Sequence, residues 1–485
     1  MLPFARLLSI SSRSSTPIYL QIVSQMIHLI EEGQLQAGQR LPGSRTLAEL
    51  LQLNRNTIVA AYDELAAQGW IRQERGSGTY VSEQIPAQQV RELGVRRSRS
   101  SQSPPFKSLN WIDRSQTRPQ TPYQLNDGLP DIRLAPLKEL SREYRRVLTQ
   151  RAWRSRLEYG DPQGNGLLRE QLRRYLGESR GLQFLAEQIM ITRGVIMSLY
   201  LLAQVLIEPG DAVVVGESTY KTANMSFLQA GAQLLRLPVD ENGLRIEELE
   251  ALCRQNRVKA IYVASHHHHP TTVPLSASRR VALLDLARRY DFWIIEDDYD
   301  FMFHYQRNPI LPIASMGASE RVVYLGSFSK TLAPALRTGY LVGPPALLEV
   351  LGRLRRLVDR QGDQILEEAI GLMLQEGSIQ RHLRKALNIY RTRRDVFCRL
   401  LREEIGEAVS FQVPEGGLAV WAHFVERQDL QEVCEECLQR GLFLSSGAYY
   451  QFDNQPDNKT RLGFAYHTEE ELGVAVQILK MALQA

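Results

Sequence analysis

Five short apolar runs limit what this chain can fold into: DAVVVGE, VKAIYVAS, FWIIEDDYD, RVVYLGS and GYLVGP, spread over residues 211–344. Their apolar residues are consecutive rather than alternate, so each reads as a strand covered on both faces. Helical stretches separate most of them, which is the pattern of an α/β fold with a largely parallel sheet. After about residue 345 the pattern changes to long helices, such as the one opening QILEEAIGLMLQEG, and this implies a second, smaller C-terminal subdomain. At 485 residues the chain is long enough for two or three domains with a large core.

The first hundred residues follow another rule. In TPIYLQIVSQMIHLIEEGQLQAG, the residues Ile22, Met26 and Ile30 recur at helical spacing before a glycine. LPGSRTLAELLQLNRNTIVAAYDELAAQGWI then predicts two short helices, with Ser44 and Asn54 as N-caps. In the second helix Ile58, Tyr62 and Leu65 form the inward face, which leaves Arg55, Asn56 and Thr57 exposed at its first turn. WIRQERGSGTYVS predicts a hairpin turning through glycine, with Gly78 in its returning arm. A helix, a helix-turn-helix and a hairpin wing together make a winged DNA-binding domain, taken as residues 1–82, with Arg45 placed for phosphate and Arg55 for the major groove. Residues 83–122 are rich in Ser, Gln, Pro and Arg and read as a flexible linker. The α/β part then occupies 123–485.

Net charge is only +4, but the informative basic bias lies in the first hundred residues, so an anionic partner is expected for that part alone. No apolar run of about 18 residues appears, and a membrane span is not expected. MLPFARLLSISSRSS has no leader-like apolar core, so the start reads as cytoplasmic. Four cysteines make no disulfide framework, and Cys434 and Cys437 form a C-x-x-C on an amphipathic helical pattern with no second ligand pair.

Lys330 raises the main chemical question. It stands just beyond the apolar run ending at Ser327, where a cation is costly unless something anionic or covalent meets it. Ser327 and Lys330 match S-x-x-K, but no S-D-N or K-T-G partner follows. A lysine whose stem lies along apolar surface is the plain alternative. The third reading is a Schiff-base lysine that condenses with pyridoxal phosphate. That cofactor needs a carboxylate at its pyridinium, and EDDYD supplies one. In extended chain Asp297 and Tyr299 share one face while Glu296 and Asp298 share the other. Ser327, Ser329 and Arg337 suit a phosphate, and Tyr220 suits a stacking ring.

These motifs carry a resemblance. LPGSRTLAELLQLNRNTIVAAYDELAAQG and GSGTYV resemble the winged helix of GntR-type regulators. YGDPQGNGLLREQL, EDDYD, SFSKTLAPALRTGYLVGP and RLGF resemble, in order, the fold-type I aminotransferases. In this combination the chain resembles the MocR/GabR subfamily of bacterial transcription regulators over nearly its whole length. The resemblance implies Lys330 as the aldimine lysine, Asp297 as the pyridinium partner, Tyr299 at the phenolic oxygen and Tyr220 on the ring. It also implies Ser327, Ser329 and Arg337 at the phosphate, Tyr159 reaching it from the second subunit of a head-to-tail homodimer, and Arg461 gripping an amino-acid carboxylate.

The chain departs from the family's pattern at several positions. Val195 and Ile196 replace a hydroxyl residue and a glutamine beside the phosphate, which removes one anchor. His269 replaces the asparagine before the proline in SHHHHPTTV and is expected at the cofactor, and Thr272 replaces a glycine. Consecutive loop histidines do not all face one ion, so no metal is expected. Thr222 stands where GABA-responsive members have arginine, which argues against a GABA-like effector. The expected protein is a PLP-dependent regulator that binds an operator in double-stranded DNA and senses an amine, amino acid or vitamin B6 species. The alternative is an active aminotransferase carrying a DNA-binding appendage.

Overall fold

Ile22, Met26 and Ile30 lie on the buried side of a helix, Ile18–Glu31, that ends just before Gly33, whose φ of 73° turns the chain away. The computed structural model describes residues 4–11, 14–74, 76–84, 109, 112, 120–150, 153–305, 310–317, 320–425, 429–453 and 455–484. They fall into two units, 1–108 and 109–485. Most of the expected linker, 83–122, lies outside the described residues.

In the first unit, which also holds the single helical turn Phe4–Leu7, the helix Ser44–Leu51 begins at its expected cap, one residue early. Gly43 holds the N-cap position without a side-chain bond, and Ser44 is already inside the first turn. Gln52, at φ 55°, makes the tight turn that follows. Asn54 caps the next helix, Arg55–Ala67, by accepting from the Asn56 N–H at 2.9 Å. Ile58, Ala61, Tyr62 and Leu65 are buried there, and the Tyr62 hydroxyl donates to the Pro42 carbonyl at 2.8 Å. The hairpin Ile71–Glu74/Gly78–Val81 gains a third antiparallel strand, Arg40–Leu41, on its Gly78–Val81 side. Two residues are too short to show a period, so that strand was not legible in the sequence.

The second unit is built on seven strands: β1 Ile189–Thr192, β2 Ala212–Gly216, β3 Gln233–Leu237, β4 Val258–Val263, β5 Trp293–Asp298, β6 Val322–Ser327 and β7 Gly339–Val342. Their spatial order is β1-β7-β6-β5-β4-β2-β3. Only β7 runs against its neighbours. The segment between Ser327 and Gly339 holds a single 3-10 turn, Pro334–Leu336, and so lacks the crossover that a parallel return needs. β1 and β3 add to the five apolar runs. β1 is only four residues and merges through Gly194 into the apolar helix Val195–Leu206. β3 is an edge strand with Gln233 and Arg236 exposed.

Successive residues of the inner strands feed two separate cores. Ile294, Val322 and Tyr324 pack on one side, and Ile295, Val323 and Leu325 on the other with the helices Val195–Leu206 and Pro345–Val358. Each fully buried aliphatic contributes about 1.5–3 kcal/mol. Burial on both faces is therefore what holds the strand ends in place. The smaller subdomain carries an antiparallel sheet of Val409–Phe411, Ala419–Phe424 and Lys459–Gly463. Tyr123–Leu125 pairs in parallel with Leu442–Leu444, so the start of this unit is tied to its C-terminal region. Cys434 and Cys437 lie in the helix Leu430–Gln439, and Cys253, Cys398, Cys434 and Cys437 are all free thiols. Among the described residues no helix is long and apolar enough to cross a membrane.

Candidate functional site

β5 and β6 run in parallel with Asp297 opposite Leu325 and Asp298 opposite Gly326. Both strands therefore end at the same edge of the sheet, the edge where open α/β sheets bind ligands. The acidic cluster divides across the strand. Glu296 accepts from the Ile313 and Ala314 N–H groups, each at 2.9 Å, and Asp298 pairs with Arg180 at 3.0 Å. Asp297 instead lines a cavity of about 280 Å³ that also holds Lys330. A wider cleft of about 720 Å³ opens beside Trp421 and His423 but contains neither residue.

Asp297 Oδ2 accepts from the Tyr262 hydroxyl at 2.6 Å, whereas Oδ1 is buried without a hydrogen-bond partner. Burial pushes its carboxyl up to about 7, against the Tyr262 bond and reinforced by the charges of Asp298 and Asp300. An aspartate in the unfolded chain titrates near 4. Between about pH 4 and about 7 the folded cofactor-free protein thus keeps a proton that the unfolded chain has released. The contribution of Asp297 to stability falls as pH rises through that window and then levels. Asp297→Asn stays neutral throughout. In urea unfolding of the cofactor-free protein it should match wild type near pH 4 and become the more stable of the two by pH 8; a difference that does not change with pH would refute a neutral Asp297.

Lys330 donates to the Gly128 carbonyl at 2.5 Å. Ser327 and Ser329 are joined, Oγ to Oγ at 2.9 Å, and the Ser329 N–H donates to Ser327 Oγ at 3.0 Å. Arg337, in a left-handed conformation at φ 48°, donates to the Arg193 carbonyl at 2.8 Å. A Cβ on Gly194 would come within 3.0 Å of its guanidinium, so glycine admits this approach. Val195 and Ile196 open the next helix and also line the cavity. They bring no hydroxyl or amide, but the free backbone N–H groups of that first turn are anion donors in their own right.

Tyr220, Thr222, His269 and Tyr299 also line the cavity. Tyr220 meets the His269 ring edge-on at 5.4 Å between centroids, and burial pushes its hydroxyl up to about 12. The Tyr299 hydroxyl donates to the His267 carbonyl at 2.8 Å. Tyr159 does not line the cavity: it is 77% exposed with the Arg360 guanidinium 3.7 Å from its ring centroid. Arg461 is also absent from the lining. It is 2% exposed, donates to the Pro270 carbonyl at 3.0 Å and has its Nε 2.8 Å from Asp127. Asp127, Tyr262 and the Gly128 carbonyl are the site groups that sequence reasoning missed. Tyr262 sits inside an apolar strand, and Asp127 lies in an unremarkable loop.

The four consecutive histidines find four different partners. His266 meets the Ile310 carbonyl, His267 meets Asp300, His268 meets Thr271 and His269 meets Asp127. Thr272, in the position expected of glycine, takes φ 64°, a strained region for a β-branched residue. In the first unit Arg45, Arg55 and Asn56 are exposed, Thr57 is half-buried, and Gly78 takes φ 131° with Arg40 against its backbone. Arg55, Asn56 and Thr57 sit together in the first turn of their helix, while Arg45 opens the preceding one.

Pyridoxal phosphate fits these residues. Asp297 offers an unpaired buried oxygen, Lys330 an amine, and Ser327, Ser329, Arg337 and the helix N-terminus a phosphate cradle. Residues 126–479 match the model for aminotransferase class I and II, and residues 18–81 match that for bacterial regulatory proteins of the gntR family. The chain is 28% identical to the probable rhizopine catabolism regulatory protein MocR of Rhizobium meliloti, over 97% of this chain and 95% of that one. It is 28% identical to the HTH-type pyridoxine biosynthesis transcriptional regulator PdxR of Corynebacterium glutamicum, over 96% of each. Among solved structures, kynurenine aminotransferase of Pyrococcus horikoshii is similar with a TM-score of 0.72 at 27% identity, over 78% of this chain and 96% of that one.

Proposed function

The chain belongs to the aminotransferase class I and II family and carries a gntR-family DNA-binding domain ahead of it, and on that premise we propose a transcription regulator that holds pyridoxal phosphate and senses a small effector through it. The effector class is an amine, amino acid or vitamin B6 species. One observation supports the cofactor above the rest: Asp297 Oδ1 is buried and unpaired in the cavity that holds Lys330. A protonated ring nitrogen is the partner that such an oxygen lacks.

When bound, the cofactor supplies an aldehyde carbon to which amines add. Lys330 would provide the resident amine, and Asp297 would hold a proton at the ring nitrogen. Arg337, Ser327, Ser329 and the backbone N–H groups from Val195 onward hold the phosphate. Tyr220, Tyr299 and His269 would form the wall beside the ring, and Tyr159 would belong to the phosphate site of a second copy in a head-to-tail homodimer. An effector amine that replaces Lys330 changes the charge and contacts in the cavity. If it binds two conformations of the chain unequally, it shifts DNA affinity by that difference. In this reading residues 1–82 bind DNA, 83–122 link, and 123–485 sense.

The test uses the purified full chain. Pyridoxal phosphate should produce a visible absorption band, and footprints on an operator selected from random duplexes should change when a primary amine is added. Failure to take up the cofactor refutes the reading. Steady turnover of an amino donor with a keto acid would favour an active aminotransferase with a DNA-binding appendage. For the DNA arm, Arg55→Ala should weaken operator binding by about 1–3 kcal/mol at matched salt, with cofactor uptake unchanged. Wild-type affinity in that variant would move the contact elsewhere on the domain.

A further inference from the structure

Arg461, which the resemblance assigns to an effector's carboxylate, already faces one. Asp127 Oδ1 lies 2.8 Å from Arg461 Nε, an ion pair without hydrogen-bond alignment, and Asp127 Oδ2 lies 2.9 Å from His269 Nε2. Facing a carboxylate on both of its oxygens, that imidazole nitrogen carries its proton and donates it. Arg461 and His269 are both more than nine-tenths buried. Asp127 itself is 24% exposed at the side chain and lines the cavity, so the pairing is formed at the cavity wall, where it is screened less than on an open surface.

The position of Asp127 is built by the backbone. Tyr123–Leu125 is locked by pairing with Leu442–Leu444. Asn126 then folds the chain, its side chain accepting from the Leu129 N–H at 2.8 Å while the Gly128 N–H donates to its carbonyl at 2.8 Å. A Cβ on Gly128, which takes φ 70°, would lie 3.3 Å from Ala419, from the Leu418 backbone and from the Arg461 guanidinium. The turn is thus seated directly against the strand bearing Arg461, and Lys330 holds it from the other side through the Gly128 carbonyl. Burial opposes ionisation of Asp127, but His269, Arg461 and Lys330 together outweigh it and hold the carboxyl below its ordinary range.

The rest of the cavity offers no substitute cation for an incoming carboxylate. Among its described lining residues the fixed cations are Lys330 and Arg337, and both serve the cofactor in the reading proposed above. A second carboxylate must either displace a tethered one or sit beside it as a like charge. From this we infer that Asp127 is a built-in carboxylate that occupies the anion site of Arg461 and His269 and makes the cavity select primary amines that carry no carboxylate over amino acids. The inference rests on the regulator reading and narrows its effector class.

The test compares probes that differ only by the carboxylate: L-alanine with ethylamine, L-leucine with isoamylamine, and L-phenylalanine with phenethylamine. Each is titrated against the pyridoxal-phosphate-loaded full chain, with the visible absorption change and thermal stabilisation as readouts. In wild type each amine should bind at least about tenfold more tightly than its amino acid, or about 1.4 kcal/mol. Asp127→Asn should erase or reverse that ratio by strengthening the amino acids alone. Equal wild-type affinities, or an unchanged ratio in the variant, overturn the inference. Asp127→Ser serves if the asparagine variant does not fold, and the wild-type ratio decides by itself. If the protein takes up no cofactor, the regulator reading has failed separately. Propionate against chloride at matched ionic strength then tests the anion site alone: it should raise the melting temperature of Asp127→Asn and not that of wild type, and equal effects would overturn the inference.

Discussion

Lys330→Ala is expected to abolish the visible band that pyridoxal phosphate gives with the full chain, and to leave no cofactor fixed to protein after borohydride. The effect is all or none because Lys330 is the amine of the cavity. The variant should still fold. Lys330 is only half-buried, and the change leaves Asp297, Arg337 and the serines intact. The phosphate and ring-nitrogen contacts do not pass through the lysine, so non-covalent uptake should persist, measurable as quenching of protein fluorescence. Operator binding without effector should also persist, since the winged domain has its own core. What should vanish is the effector's influence on operator binding. A normal effector response in Lys330→Ala would refute the switch and leave the cofactor site standing, whereas wild type that stays colourless with excess cofactor would refute the site itself.

Much of this was legible because strong local patterns and tertiary structure agree. The inner strands are buried on both faces, so they announce themselves as apolar runs, and the acidic end of β5 stands out against its own strand. The recognition-type helix was legible because Asn54 caps it and its apolar residues fall on one face. What was missed shares a different cause. Arg40–Leu41 is paired only through a distant hairpin, and β3 is an edge strand that need not be apolar throughout. The direction of β7 depends on the length of a connection, not on its own composition. Asp127 was invisible for a related reason. Its meaning comes from Arg461 and His269, which lie far away in sequence, and nothing in the loop that carries it marks one side chain above its neighbours. The family resemblance therefore pointed to the arginine and implied a ligand for it, while the carboxylate already beside it emerged only from the fold.

Asp298→Ala is expected to cost about 3–5 kcal/mol of stability, the range for leaving a buried charge without its partner. Asp298 and Arg180 are 0% and 1% exposed at the side chain, with Arg180 Nε 3.0 Å from Asp298 Oδ2. The Tyr324 hydroxyl donates to the same oxygen, and Oδ1 accepts from the Phe301 N–H at 2.9 Å. Burial opposes ionisation of Asp298, but Arg180, His266 and the Tyr324 bond outweigh it and hold the carboxyl below its ordinary range. Without the carboxylate, Arg180 keeps Ser179, the Met302 sulfur and the faces of Phe301 and Tyr175, none of them anionic. The guanidinium cannot shed its proton as a lysine could, so the penalty stays in the folded state. Asp297 provides the internal contrast one residue away. Its hydrogen-bond partner is the Tyr262 hydroxyl rather than a guanidinium, burial raises its carboxyl, and its replacement by asparagine should stabilise the cofactor-free protein at neutral pH. Adjacent aspartates on opposite faces of one strand should therefore respond in opposite directions to loss of charge. Urea unfolding of both variants at pH 8 decides the matter. A loss below about 1 kcal/mol for Asp298→Ala, the level of an exposed ion pair, would mean that water reaches Arg180 and that the division of the acidic cluster is not as drawn.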